Sequence, residues 1–142
     1  MTIELILQGR SDDIYSCTAD MLVSQAVEIL AEKRIGALPV LDGDSVVGIF
    51  SERDVLHCVR KYGNAALDHL VSDVMTADVI SVEPTKSAIG ALSLMSKRRI
   101  RHLPVVDNGK LIGFVSIGDL VKYRIDKIES EAAAMRDYIQ SA

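Results

Sequence analysis

Two segments of the chain carry residue types and spacings that could do chemistry. Gly48-Ile49-Phe50-Ser51-Glu52-Arg53-Asp54 and Gly113-Phe114-Val115-Ser116-Ile117-Gly118-Asp119 share one order: glycine, two apolar residues, serine, two variable positions, aspartate. A strand would deliver each segment to a helix that starts at the serine. The open N–H groups and partial positive charge of such a start suit an anion such as phosphate. The serine hydroxyl can add a hydrogen bond, and an aspartate one turn on can accept from the vicinal hydroxyls of a ribose. Ser-x-x-Asp is also a helix cap, with serine as N-cap and an acid favoured in the first turn. The two roles are compatible, because a cap uses only some of the open N–H groups.

A second group is the basic run Lys97-Arg98-Arg99-Ile100-Arg101-His102-Leu103-Pro104. Lys97 and Arg98 read as a solvated helix C-terminus, where cations complement the dipole. Arg101 and His102 lie past the helix, where forked or charged donors could reach a phosphate.

These groups are positioned by a duplication. Residues 14–60 fall on residues 79–125 without a gap, and Arg34/Arg99, Leu38/Leu103, Pro39/Pro104, Gly48/Gly113, Ser51/Ser116 and Asp54/Asp119 are among the identical pairs. Each copy predicts a short strand (Ile14–Cys17, Val79–Val82) and an amphipathic helix (Val23–Arg34, Ala88–Arg99). A Leu-Pro-Val strand, a turn at Asp42-Gly43-Asp44 or Asp107-Asn108-Gly109, and a β-rich run (Val46–Phe50, Leu111–Val115) follow. A second helix starts at Ser51 or Ser116. The expected organisation is a separate lead-in over 1–10, repeats at 11–62 and 76–125, a partly helical linker at 63–75 and a helical extension at 126–142. On that extension Ile125, Ile128, Ala132, Met135 and Ile139 form a narrow apolar stripe, as on a helix that packs on a neighbour or a twin. The fold class is mixed α/β (α+β), with two similar halves facing each other about a pseudo-two-fold axis. Clefts between such halves are favoured places for small ligands. Repeat 1 has Gly36 and Ala37 where repeat 2 has Arg101 and His102, so the two clefts should be unequal.

Composition narrows the function classes. Hydrophobic residues make up 49% of the chain, but aromatics only 4% and Trp is absent, so the core must be aliphatic. A net charge of −4 argues against a nucleic-acid or anionic-membrane partner, which needs a basic face. Cys17 and Cys58 are too few for a secreted disulfide framework and read as buried thiols in a reducing cytosol. Residues 1–10 have no signal-peptide pattern, and no apolar run approaches the ~20 residues a membrane span needs. A cytoplasmic protein is expected. No phosphate-binding Walker loop, Gly-x-Gly-x-x-Gly or Gly-x-Ser-x-Gly is present, and His57, His69 and His102 fall in different segments. No His/Cys pair has metal-ligand spacing. Neither an enzyme nor a metal site is expected.

The doubled pattern, with Val47-Gly48-Ile49-Phe50-Ser51-Glu52-Arg53-Asp54-Val55 in one copy and Arg99-Ile100-Arg101-His102-Leu103-Pro104-Val105 in the other, resembles tandem CBS domains, or a Bateman module. The likeness spans about residues 11–125, and Val71-Ser72-Asp73-Val74-Met75-Thr76 resembles the family's lead into a repeat. The resemblance implies β-α-β-β-α repeats, homodimers, and a regulatory adenine ligand such as AMP, ADP, ATP, NAD(H) or S-adenosylmethionine, acting on a protein the sequence does not name. It implies a first cleft of Ser51, Arg53 and Asp54 with Thr76, Val79, Ile80, Ser81, Arg101, His102 and Pro104. Asp54 would hold the ribose; Ser51, Thr76, Arg101 and His102 would face phosphate; Val79, Ile80 and Pro104 would flank the base. The second cleft would use Ser116 and Asp119 with Ser11, Ser16, Gly36, Ala37 and Pro39, without an Arg-His pair. The alternative reading is a ligand-independent homodimerisation scaffold built on the helices and the C-terminal stripe.

Overall fold

In the computed structural model, which describes residues 1–9 and 14–141, each repeat wraps helices and a hairpin around an aliphatic core. Helix α1 (Ile3–Gln8) comes first. Repeat 1 then runs β1 (Cys17–Thr18), α2 (Val23–Lys33), β2 (Ala37–Asp42), β3 (Ser45–Ser51) and α3 (Glu52–Tyr62). A 3-10 turn (Gly63–Asp68) and α4 (Val71–Val74) lead to α5 (Ala88–Arg98), β4 (His102–Asp107), β5 (Lys110–Ser116) and α6 (Ile117–Ser141). Both hairpins are antiparallel, pair Val40 with Gly48 and Val105 with Gly113, and shift register at the next residue. The leading strands are shorter than expected. Only Cys17 and Thr18 reach β2, in parallel, and repeat 2 keeps a single bridge from Val82 to Val105. Val23, Ala26, Leu30, Leu38 and Val40 surround Phe50 in one core, and Ala91, Met95, Leu103, Val105, Val115 and Leu120 fill the other. Both cysteines are buried, and burial pushes the Cys17 thiol up to about 11, so it stays protonated.

Helices α2 and α5 each stop one residue earlier than predicted, because Arg34 (φ 55) and Arg99 (φ 54) turn left-handed. The N–H groups of Arg34 and Ile35 both reach the Leu30 carbonyl, and those of Arg99 and Ile100 both reach that of Met95. The isoleucine bond is the 6→1 bond of a Schellman stop and the arginine bond the 5→1 bond of an αL stop, and glycine usually fills that left-handed position. An L-residue in that conformation costs roughly 1–2 kcal/mol.

The lead-in does not stand apart. Ile3 of α1 is fully buried in the core of repeat 2, just as Val71 of α4 is fully buried in that of repeat 1. The backbone bonds match pair by pair. Ile3 and Glu4 donate to Lys86 and Pro84, while Val71 and Ser72 donate to Met21 and Ala19. The segment ahead of each repeat therefore completes the other repeat. Each exchange packs a side chain against a strand glycine. A Cβ at Gly48 would lie 2.5 Å from Met75 Sδ, and one at Gly113 2.6 Å from Leu7 Cδ1.

Helix α6 is continuous across the expected boundary at 125/126, and Ile125, Ile128, Met135 and Ile139 along it are 49–65% exposed. Among the described residues no helix is long and apolar enough to cross a membrane.

Because α1 seals a core rather than decorating it, Ile3→Ala should destabilise the chain by about 2–5 kcal/mol. Urea unfolding measures this; a loss under ~0.5 kcal/mol, typical of a surface change, would contradict the exchange.

Candidate functional site

Two clefts open between the repeats. The first, about 430 Å³, is lined by Ser51, Glu52, Arg53, Asp54 and Leu56 from the α3 start and by Thr76, Asp78 and Ile80 from the linker side. Arg99, Ile100, Arg101 and His102, with Ile49 and Gly36, complete it. Of the residues expected there, Ser51, Arg53, Asp54, Thr76, Ile80, Arg101 and His102 are brought together. Val79, Ser81 and Pro104 are not on the lining. Pro104 is buried in β4, where its carbonyl accepts from Val82 N–H at 3.0 Å.

The second cleft, about 420 Å³, is lined by Ser116, Asp119, Gly36 and Ala37 as expected, and also by Leu7, Ile14, Tyr15, Arg34, Ile35, His102, Ile112, Gly113 and Phe114. Ser16 and Pro39 lie off it. Pro39 is fully buried in β2, with its carbonyl 3.9 Å from Cys17 Sγ. Ser11 lies outside the described residues.

The cap and the ligand reading of Ser-x-x-Asp now meet one set of bonds. Asp54 Oδ2 accepts from Ser51 N–H at 2.8 Å and from the Ser51 hydroxyl at 3.1 Å, while Asp54 N–H points back to Ser51 Oγ at 3.4 Å. The other oxygen, Oδ1, accepts from the Thr76 hydroxyl at 3.2 Å. Ser116 and Asp119 repeat the reciprocal backbone pair at 2.8 and 3.1 Å. The helix starts hold fewer open donors than the spacing predicted. Glu52 N–H is spent on the Gly36 carbonyl at 3.0 Å, and Ile117 N–H on that of Arg101 at 2.7 Å. Of the first three N–H groups in each helix, the first and third are thus satisfied within the protein.

His102 and Gly36 line both clefts and form the partition between them. The imidazole stacks on Phe114 with centroids 5.5 Å apart. A Cβ on Gly36 would sit 3.6 Å from both the ring and the Glu52 carboxylate. The second cleft therefore has the histidine it was expected to lack, and Arg34 as well. Burial pushes the His102 pKa below its ordinary value, against the Asp119 and Glu52 carboxylates, which raise it; neighbouring Arg101 lowers it further. Burial thus favours the neutral ring.

Sequence reasoning missed Arg34 and Arg99 because it counted them as the last helical residues. Two identical arginines directly ahead of Ile35 and Ile100 were the available signal. It also missed Leu7, which the exchange of lead segments brings in from outside the duplicated span.

The CBS-domain family model matches residues 10–61 and again residues 71–126. The mitochondrial CBS domain-containing protein CBSX3 of Arabidopsis thaliana is 35% identical over 129 residues, covering 87% of this chain and 63% of that protein, so the chain spans less than two thirds of this relative. A solved protein with CBS domains from Burkholderia ambifaria is 43% identical, with a TM-score of 0.83 over 89% of this chain and 95% of its own. The CBS domain pair of protein MJ0100, solved in complex with 5′-methylthioadenosine and S-adenosyl-L-methionine, superposes with a TM-score of 0.79 over 89% of this chain and 98% of its own. At 22% identity that likeness is one of fold.

A histidine held neutral by burial removes stability on acidification. As pH falls through about 6.5 the unfolded chain takes up this proton before the folded one does, so folding weakens until the lower folded-state pKa is passed. His102→Gln should therefore show a shallower fall in Tm between pH 7.5 and 5.5 than the unsubstituted chain. Parallel curves would mean that His102 titrates normally.

Proposed function

The chain belongs to the CBS-domain family, and on that premise we propose that it is a regulatory module that holds an adenine nucleotide, AMP, ADP, ATP or NAD(H), between its repeats. The observation that carries this reading is the first cleft. There Ser51 and Asp54 of one half face Thr76, Ile80, Arg101 and His102 of the other. Asp54 Oδ1, bonded to Thr76, is the acceptor a ribose diol would share or take over. Arg101 and His102 would face phosphate. Because Val79 and Pro104 lie off the lining, Ile49, Ile80 and Ile100 would flank the base. The adenosine compounds held by the related MJ0100 pair support the same ligand class, and S-adenosylmethionine belongs in any screen.

The module would bind its ligand without converting it. A ligand touching both repeats favours whichever arrangement of the halves it binds better, and only by that difference in affinity. The shift would pass to a regulated protein or to a twin copy. One observation favours the alternative of a ligand-independent homodimer scaffold: the exposed apolar face of α6. Light scattering reads the oligomer directly, and a monomer at micromolar concentration would count against both the scaffold and the homodimer.

Thermal-shift and calorimetric screening with AMP, ADP, ATP, NADH and S-adenosylmethionine separates the two readings. A true ligand at 100 times its Kd stabilises the fold by about 2.7 kcal/mol, and no shift with any of them leaves the scaffold. Asp54→Asn should weaken ribonucleotide binding about tenfold or more, the scale of a bond to a charged group, and leave the chain folded. Unchanged affinity would make Asp54 a cap alone. Arg101→Ala should weaken AMP more than adenosine; equal losses would remove its phosphate role.

A further inference from the structure

We infer that Arg34 and Arg99, the left-handed residues that end α2 and α5, are the phosphate-selecting side chains of the two clefts, one in each. The inference deepens the nucleotide reading above and rests on it. The two arginines occupy equivalent positions in the repeats, yet they serve opposite clefts. Arg99 lines the cleft of Ser51 and Asp54, and Arg34 lines that of Ser116 and Asp119.

Three observations converge on this role. First, the helix starts have little left for an anion. The first and third N–H groups of α3 and α6 are bonded within the protein, and each cap places a carboxylate at the same spot. Phosphate charge must then be met by side chains, for which a planar guanidinium is well suited. Second, among the described residues neither guanidinium has an ion-pair or hydrogen-bond partner, so both can turn to a ligand. Third, both sit at φ near 55°, where glycine would be less strained. The turn itself uses only backbone bonds, so it does not require a side chain there. The repeats nevertheless place the same charged side chain at both turns.

The test uses Arg34→Gly, Arg99→Gly and the double substitution in the full chain. Tm is read without ligand, and calorimetry is run with AMP, ADP, adenosine and inorganic pyrophosphate. Glycine relieves the left-handed strain, so each variant should be at least as thermostable as the unsubstituted chain. AMP and ADP should bind about tenfold more weakly at one site in each single variant, at both sites in the double, with adenosine unchanged. Unchanged AMP and ADP affinity, or an equal loss for adenosine, overturns the inference. A Tm drop would mark the arginines as structural and overturn it as well. If the unsubstituted chain binds pyrophosphate but no adenine compound, the nucleotide reading fails alone. Pyrophosphate binding weakened in the variants then upholds the arginines' role, and unweakened binding overturns it. If it binds none of these probes, both readings fall.

Discussion

Each half of this molecule is finished by a turn of chain that belongs, in sequence, ahead of the other half. Ile3 closes the second core and Val71 the first, with matching backbone bonds on both sides. Neither repeat has a complete apolar core of its own, so the halves cannot separate without opening both. That constraint fixes the seam, and the clefts are what the seam leaves unfilled. It also explains two glycines in strands, where glycine is normally unfavourable. Met75 and Leu7 lie over β3 and β5 so closely that a Cβ there would make their side chains shift.

At those clefts, the residues that could recognise a nucleotide are already engaged in folding the protein. The Ser51–Asp54 and Ser116–Asp119 pairs are capping boxes, and the carbonyls of Gly36 and Arg101 take the first N–H of each helix. Capping stabilises a helix start by about 1 kcal/mol and uses the donors that would otherwise attract an anion. The consequence is a division of labour within each cleft. The helix start offers an acceptor, suited to hydroxyl groups. Among the described residues, Arg99 and Arg101, from the chain after α5, join Arg53 of the α3 first turn in the first cleft, and Arg34, from the end of α2, serves the second.

Most of the secondary structure was legible because its signals are local. Apolar spacing placed α2 and α5, turn residues placed both hairpins, and Ser51 and Ser116 marked the starts of α3 and α6. The first cleft was legible in part through the resemblance to tandem CBS domains, which pairs Ser51 and Asp54 of one repeat with Thr76, Arg101 and His102 of the other. What was not legible depends on contacts distant in sequence. The strand over 79–82 shrinks to a bridge because only Val82 reaches β4. Pro39 and Pro104 sit in the motif, but β2 and β4 bury them. Leu7 enters the second cleft from a segment outside the repeat, and no pattern in its own neighbourhood announces it. Arg34 and Arg99 were visible as residues but not as left-handed ones, since their backbone is set by how the next isoleucine meets its core.

The remaining asymmetry follows from where the copies differ rather than where they agree. Gly36 and His102 stand together as the partition between the clefts. Gly36 occupies the position of Arg101 in the other repeat, and Ala37 that of His102. Had repeat 1 kept an arginine and a histidine there, two imidazoles and two guanidiniums would crowd one wall. A Cβ on Gly36 would lie in ordinary van der Waals contact with the His102 ring at 3.6 Å. The shared histidine belongs to both clefts at once, so a ligand in either one would meet the same imidazole.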